Sequence, residues 1–227
     1  MYQNELKDDK AMIKRILFGG IMLATMVLAG CQSKDGVCRI KGTVSMEQFD
    51  GKQIFLVPLY GPQTAEYVDS VVIKDGKFEF TTDTVMMAKI LMDYHFRFGV
   101  QTLLVVTEPG ELQVSIDSVS SAHGTPQNDS LQAWKEVTER HNRDYGMANL
   151  AARKLKESGD TVQAAKLAGQ ANAIHLAYKN LTRKKAESMK GTVLGDFLGQ
   201  LFPLTYKKKM PDGSIVTMNA DTNEPVE

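Results

Sequence analysis

This sequence has few cysteines and no net charge, and each of these absences excludes a class of protein. Its 227 residues include two cysteines, Cys31 and Cys38, which are too few for a disulfide scaffold or a cysteine-rich zinc site. The 27 basic and 27 acidic residues cancel, so no net field draws the chain to nucleic acid. The apolar fraction of 43% and the charged fraction of 24% are ordinary for a globular protein, which excludes a disordered or fibrous chain.

Catalytic and cofactor-binding motifs are also absent from the sequence. There is no Cys-x-x-Cys pair, nucleophile elbow, P-loop or dinucleotide-binding fingerprint. The four histidines lie in four different segments, without the i,i+4 spacing that places two imidazoles on one helix face: His95, His123, His141 and His175. We therefore predict no catalytic residue, no metal site and no cofactor. An enzyme whose site is assembled from scattered residues stays open as an alternative.

The N-terminal segment has the layout of a secretory signal. Lys14 and Arg15 precede an uncharged, apolar run over residues 16–30. This run is too short and too rich in glycine for a comfortable membrane span of ~20 apolar residues. It ends in Leu-Ala-Gly followed by Cys31, which resembles the lipobox of bacterial lipoproteins. A start at Met12 would give a more typical signal than the polar lead-in before it.

The lipobox predicts where the protein resides. We predict a lipoprotein signal peptide over residues 1–30, acylation of Cys31 and a tether over residues 31–38, with an ordinary signal anchor as the alternative. Two or three acyl chains would hold the mature chain firmly on a membrane. Gln32 stands where an aspartate would retain a lipoprotein in the inner membrane. We therefore expect a bacterial cell-envelope protein of the outer membrane, facing either the periplasm or the cell surface.

Short β-rich runs fill residues 39–124. The predicted strands cover residues 39–45, 53–59, 67–74, 77–81, 88–93, 102–106 and 111–117. Turn signals separate them, and the Asp-Gly pair at residues 75–76 predicts a tight hairpin. Seven closely spaced strands without intervening helices favour an antiparallel β-sandwich or a small open barrel.

The chain becomes helical after the Gly-Thr-Pro sequence at residues 124–126, which makes the predicted fold class α+β. We predict a helical hairpin over residues 125–202, docked on the β-sandwich domain. Its first helix begins after an N-cap at Asn128 or Asp129 and ends or bends at Gly146 or at residues 158–160. The second helix covers residues 161–190.

The spacing of apolar residues indicates which helix faces meet. One face of the first helix carries Leu131, Trp134, Val137 and His141, and the second carries a seam of Leu167, Ala171, Ile174, Tyr178 and Leu181. We expect docking on the sheet to shield Trp134, the only tryptophan, from water. Residues 203–227 are predicted to form a C-terminal hairpin or tail that turns at Pro211-Asp212-Gly213.

The sequence also contains two weaker patterns. Glycine recurs every four residues at Gly191, Gly195 and Gly199, a spacing that lets another helix approach closely. This glycine spacing is compatible with packing inside the helical hairpin and also with a groove for a partner. Asp followed by Ser or Thr and an apolar residue is similar to an O-glycosylation acceptor pattern of some gut bacteria. It occurs at Ser70, Thr84, Ser118, Ser130 and Thr161.

Several segments in order resemble the N-terminal domain of unknown function of membrane-anchored or lipoprotein thioredoxin-like oxidoreductases. They are residues 40–44 (Ile-Lys-Gly-Thr-Val), 54–56, 69–80, 108–112 (Glu-Pro-Gly-Glu-Leu) and 124–129. The resemblance covers about residues 38–190. Such proteins usually continue into a thioredoxin domain with a Cys-x-x-Cys pair. Since this sequence has no such pair, the redox chemistry that the resemblance implies does not transfer.

These observations predict a non-catalytic envelope lipoprotein that acts by binding or scaffolding. Its expected partners are the membrane, through the lipid anchor, and an envelope protein such as a transport component. The alternative is an accessory module for thiol–disulfide exchange that works with a separate thioredoxin-like partner. Cys38 is interpreted as a buried thiol, and a disulfide to a second molecule stays open.

Overall fold

The structure is a computed structural model that describes residues 36–62, 64, 66–92 and 102–226. Its strands are β1 (Cys38–Val44), β2 (Gln53–Pro58), β3 (Asp69–Val72), β4 (Lys77–Thr82), β5 (Met87–Leu91), β6 (Leu103–Val106), β7 (Gly110–Ile116), β8 (Ser121–His123), β9 (Thr205–Lys209) and β10 (Ile215–Asn219). The helices are α1 (Pro126–Glu157), α2 (Thr161–Ser188) and α3 (Val193–Leu201), and a 3-10 turn covers Glu47–Phe49. The predicted α+β class is confirmed.

Two four-stranded sheets pack face to face in the predicted β-sandwich. One has the strand order β4-β1-β7-β8 and the other β3-β2-β5-β6, and the described strands form no closed barrel. The described pairings in these sheets are antiparallel except that of β1 with β7, which runs parallel. The chain returns from the other sheet first as β4, antiparallel to β1, and only after a second crossing through β5 and β6 as β7, parallel to β1.

Alternating side chains build the core between the two sheets. β1 and β7 bury every second residue, as expected for strands with one face on a core. Ile40 of one sheet and Ile54 of the other are both 0% exposed and belong to one cluster. Gly42 in β1 pairs with Phe78 in β4. A Cβ atom at Gly42 would lie 1.9 Å from the Phe78 ring, so glycine is required for this ring to cover β1.

The predicted turn at Asp75 and Gly76 is confirmed. Both residues have positive φ, 52° and 66°, as a two-residue type I′ turn requires. Lys74 and Lys77 exchange two backbone hydrogen bonds of 2.9 Å across it. The flanking strands then diverge, because β3 belongs to one sheet and β4 to the other, so the turn connects the two layers of the sandwich.

Helix α1 begins earlier than predicted. Its N-cap is Thr125, with Pro126 in the first turn, a position where proline costs no hydrogen bond. The predicted N-cap at Asn128 or Asp129 is wrong because both side chains bind outside the helix: Asn128 to Val106 and Asp129 to the backbone N–H of Gly124.

The predicted helical hairpin is confirmed, and its turn lies at the second of the two predicted positions. Helix α1 continues through Gly146 to Glu157, and the chain reverses at Gly159, where φ is +89°. The Asp160 carboxylate then accepts a hydrogen bond of 3.0 Å from the backbone N–H of Gln163, which caps α2.

The seam between α1 and α2 differs from the predicted one at its end. Ala171 is buried as expected, but Leu181 is 45% exposed and Thr182 is fully buried instead. A seam spaced at 3.5 residues drifts around a helix of 3.6 residues per turn, so the contact position moves from Leu181 to Thr182. There the Thr182 hydroxyl accepts a hydrogen bond of 3.1 Å from the Trp134 indole N–H.

A second apolar cluster joins the helices to the sandwich. Met87 and Val106 from β5 and β6 pack with Leu131, Trp134, Leu194, Phe197 and Leu198 from α1 and α3. Trp134 is 8% exposed, so the expected shielding of this side chain is confirmed. The described residues belong to a single compact unit.

The C-terminal segment forms the predicted hairpin. Strands β9 and β10 pair antiparallel, and the backbone N–H of Met210 donates to the carbonyl of Ser214 across the turn. Among the helices that the structure describes, none has both the length and the hydropathy that a membrane span needs.

Candidate functional site

An open groove lies where the end of α2, helix α3 and the segment before β9 meet. Its volume is about 530 Å³. Residues from these three elements line it, among them Arg183, Glu187, Lys190, Gly195, Asp196, Gly199, Gln200, Phe202 and Leu204. We call it the α3 groove.

The spaced glycines of the sequence explain how this groove forms. A Cβ atom at Gly195 would lie 2.0 Å from the carbonyl oxygen of Met189, so Gly195 allows α3 to pack against the end of α2. A Cβ atom at Gly199 would meet no atom within 4 Å, so Gly199 leaves open space in the groove. Gly195 therefore has the predicted packing role, and Gly199 lines the open groove.

One arginine fixes the wall of the groove. Arg183 on α2 donates to the carbonyl oxygens of Phe202 at 2.9 Å and Pro203 at 2.8 Å. It also pairs with Asp221 at 2.5 Å, as Lys179 does at 2.7 Å. Hydrogen bonds from Arg183 and then Lys179 lower the pKa of the Asp221 carboxyl to about 2. The two hydrogen bonds from Arg183 hold Phe202 and Pro203, which follow α3, against α2.

The rim of the groove combines apolar side chains with charges of both signs. Leu204 is 67% exposed, and Phe202 and Pro203 also line the groove. Glu187 and Lys190 form only a loose exposed pair of 3.7 Å, and Asp196 lies exposed on α3. Apolar side chains beside charged groups also occur together on protein-binding surfaces.

A ladder of aromatic rings borders the groove through Phe202. Phe202 contacts His175 and Tyr178 edge to face at 5.9 and 5.7 Å between ring centroids. His141 stacks on Tyr178 at 4.1 Å and on Tyr145 at 5.5 Å. The His141 and His175 rings come together across the α1–α2 seam, with Nε2 of His141 3.4 Å from Nδ1 of His175.

The sequence does not indicate that these two histidines meet, since they lie 34 positions apart in different predicted segments. A signal was available in the predicted helix faces. His141 ended one face, and Ile174 and Tyr178 belonged to the facing seam. Pairing the two faces in antiparallel register would have brought His175 near His141.

The other candidate residues have simpler surroundings. Cys31, the predicted lipidation site, lies outside the described residues, as does His95. Cys38 is 1% exposed, and its burial, with the nearby charge of Glu108, raises the pKa of the thiol to about 11. Such a thiol is not a nucleophile at neutral pH. His123 is exposed and lies 3.5 Å from Asp129.

The O-glycosylation-like hydroxyls differ in their accessibility. Ser70, Thr84, Ser118 and Thr161 are exposed. Ser130 is half-buried on α1, where its hydroxyl accepts a hydrogen bond from the Lys185 ammonium at 3.2 Å. Four of the five pattern matches therefore lie where a modifying enzyme can reach them.

Comparison with known proteins bears on the sandwich and not on the groove. Residues 38–131 match the family model of a domain of unknown function, DUF4369. The DUF4369 match runs from β1 to the first turns of α1, less than half of the chain, and contains the residues on which the sequence resemblance rests. No curated protein and no solved structure matches the chain. The α3 groove and the paired histidines lie beyond the matched residues.

Proposed function

We propose that this chain is a lipid-anchored protein of the bacterial cell envelope that acts by binding a partner protein in the α3 groove. The observation that carries the binding role is the open space beside Gly199, in a groove that the exposed Leu204 also lines. The expected partner presents an apolar side chain to this space and charged groups to the rim. No catalytic step is assigned to the chain.

The anchor rests on the sequence before the sandwich. The lipobox ending at Cys31 and the absence of aspartate at position 32 support acylation and an outer-membrane location. The described strand β1 begins at Cys38, so the proposed tether of residues 31–38 would connect the acylated cysteine directly to the first strand. The whole sandwich and its helices would then lie close to the membrane surface.

Replacing Gly199 with tryptophan is expected to abolish partner binding. The new side chain would occupy the groove, and the helical position accepts it because no atom lies within 4 Å of a Cβ there. The matched control is Gly146→Trp, a helical glycine on α1 with equally open surroundings. The measurement is affinity capture of the full lipoprotein from cross-linked cells followed by mass spectrometry.

A partner captured by the wild type and by Gly146→Trp, but lost with Gly199→Trp, supports the proposal. Equal capture by Gly199→Trp would show that the partner binds elsewhere. Failure of every form to enrich any protein specifically would show that the protein-binding role is wrong.

A second candidate is the accessory role in thiol–disulfide exchange. The buried Cys38 thiol, with its raised pKa, supports a division of labour in which the partner supplies the reactive cysteine pair. In the same capture experiment, a thioredoxin-like protein lost with Gly199→Trp would favour this candidate. A transport component lost in that way would favour a scaffolding role in uptake.

Acylation is tested separately from binding. Metabolic labelling with an alkyne fatty acid should mark the wild-type chain and leave Cys31→Ser unlabelled, because acylation requires the Cys31 sulfur. Cys38→Ser serves as the control and should label like the wild type. Equal labelling of Cys31→Ser, or a mature N-terminus at another residue, would show that the proposed anchor is wrong.

A further inference from the structure

The His141–His175 pair has the geometry of two ligands to one metal ion. Nitrogen atoms bound to a tetrahedral Zn²⁺ at ~2.0–2.1 Å lie about 3.3–3.4 Å apart. The observed separation of Nε2 of His141 from Nδ1 of His175 is 3.4 Å. The same arrangement would place the imidazole centroids about 5.2 Å apart, against 5.5 Å observed. A small tilt of the two rings would therefore converge both nitrogens on one ion.

A neighbouring side chain determines which ring nitrogen of His141 is free to bind a metal ion. Its other ring nitrogen, Nδ1, lies 3.2 Å from the side-chain oxygen of Asn142. An amide oxygen can only accept a hydrogen bond, so this contact places the proton on Nδ1 and leaves the lone pair of Nε2 directed toward His175. Metal-binding histidines commonly donate their second N–H to an oxygen in this way.

The ring ladder restricts the motion of His141. Tyr178 stacks on it at 4.1 Å with the two planes 14° apart. The hydroxyl of Tyr178 on α2 is in turn 2.9 Å from the hydroxyl of Thr138 on α1. This contact also fixes the Tyr178 ring relative to α1. Both histidines are half-buried, so the imidazoles are held in place while remaining open to an ion from solvent.

We propose that His141 and His175 form a two-imidazole binding site for a divalent transition-metal ion across the α1–α2 seam. Imidazole nitrogen suits Zn²⁺, Cu²⁺ and Ni²⁺ and not Mg²⁺ or Ca²⁺, which prefer oxygen ligands. No group of three or more histidine, cysteine, aspartate or glutamate side chains converges in the described part of the chain. Water would therefore complete the coordination, and the ion would connect two helices that meet only through side chains.

The experiment titrates the full chain, freed of metal with a chelator, with Zn²⁺ in a calorimeter and with Cu²⁺ by fluorescence. Trp134 is the only tryptophan and lies 6.5 Å from Tyr178, so bound Cu²⁺ should quench its emission. We expect one equivalent of each ion to bind. Mg²⁺ should neither bind measurably nor quench.

The variants His141→Phe and His175→Phe keep a ring in the ladder and remove the ligand nitrogens. Each should weaken Zn²⁺ binding by about 100-fold or more, since the second imidazole acts at a high effective concentration once the first has bound. His123→Phe is the matched control, because His123 is an exposed histidine on β8, and it should bind like the wild type. Far-UV circular dichroism of the metal-free variants verifies folding, and His175→Asn replaces any variant that fails to fold.

Unchanged affinity in both His141→Phe and His175→Phe would overturn the proposal, as would the absence of any Zn²⁺ or Cu²⁺ binding to the wild type. Loss of binding only in His123→Phe would assign the ion to another site and overturn it equally. This outcome is independent of the capture experiment, which concerns the α3 groove.

Discussion

Replacing Trp134 with alanine is expected to lower the free energy of unfolding by about 3–5 kcal/mol. The indole is 8% exposed and lies in the apolar cluster where α1 and α3 meet β5 and β6. It contacts Phe197 edge to face at 5.9 Å and stacks with Tyr178 at 6.5 Å. The alanine variant would leave a cavity between the helices and the sandwich. Denaturant titration followed by far-UV circular dichroism measures the loss.

A control separates the lost volume from the lost hydrogen bond. Trp134→Phe keeps an aromatic ring against Phe197 but removes the indole N–H that donates to Thr182. We expect it to cost about 1–2 kcal/mol, much less than alanine. A loss below about 1 kcal/mol for Trp134→Ala would contradict the stabilising role of this cluster between helices and sheet, because such a loss is typical of a peripheral side chain.

Seven of the eight strands of the sandwich could be predicted because their signals are local, whereas the three-residue β8 was missed. Alternation of apolar and polar residues in β1 and β7 reflects a single buried face, and the Asp75-Gly76 turn needs positive φ at both positions. Each of these requirements acts within a few residues of chain. The helical hairpin was predictable for the same reason, since Gly159 and the capping Asp160 mark its turn.

The remaining features depend on which distant segments meet. The parallel pairing of β1 with β7 joins residues about 70 positions apart, and no local pattern specifies its direction. The residue type of Asn128 favours a helix cap, whereas its side chain binds a strand 22 residues earlier. The groove and the histidine pair likewise exist only once α1, α2 and α3 have packed.

Asn128 is a buried polar residue at which substitution is expected to be strongly destabilising. Its side-chain oxygen accepts a hydrogen bond of 2.9 Å from the backbone N–H of Val106, and its amide nitrogen donates to the Val106 carbonyl at 2.7 Å. The amide also donates to the Thr125 hydroxyl at 2.7 Å. Val106 belongs to β6, the edge strand of its sheet. The Asn128 amide therefore takes the place of a neighbouring strand and covers an edge that would otherwise lack partners.

Asn128→Ala is accordingly expected to lower the free energy of unfolding by about 3–5 kcal/mol, because it leaves buried backbone groups of Val106 unpaired at about 1–3 kcal/mol each. Asn149→Ala is the matched control. Asn149 is an exposed residue of the same helix and should change stability by less than about 0.5 kcal/mol. Asn128→Asp, which keeps an acceptor for the Val106 N–H but loses both donated bonds, should also be strongly destabilised. A cost below about 1 kcal/mol for Asn128→Ala would show that water replaces the amide at this edge.

The same variant tests whether the sandwich and the helices unfold as one unit. Asn128 and Trp134 both join α1 to the sheet of β5 and β6. Loss of the Asn128 bonds should therefore destabilise both parts together. In wild type and in Asn128→Ala, Trp134 fluorescence and far-UV circular dichroism should give one common denaturation midpoint, which moves to lower denaturant in the variant. If the fluorescence midpoint moved in Asn128→Ala while a separate circular dichroism transition stayed in place, the two parts would be independent modules. A single shifted transition would instead show that the sandwich and the helices carrying the α3 groove unfold as one cooperative unit.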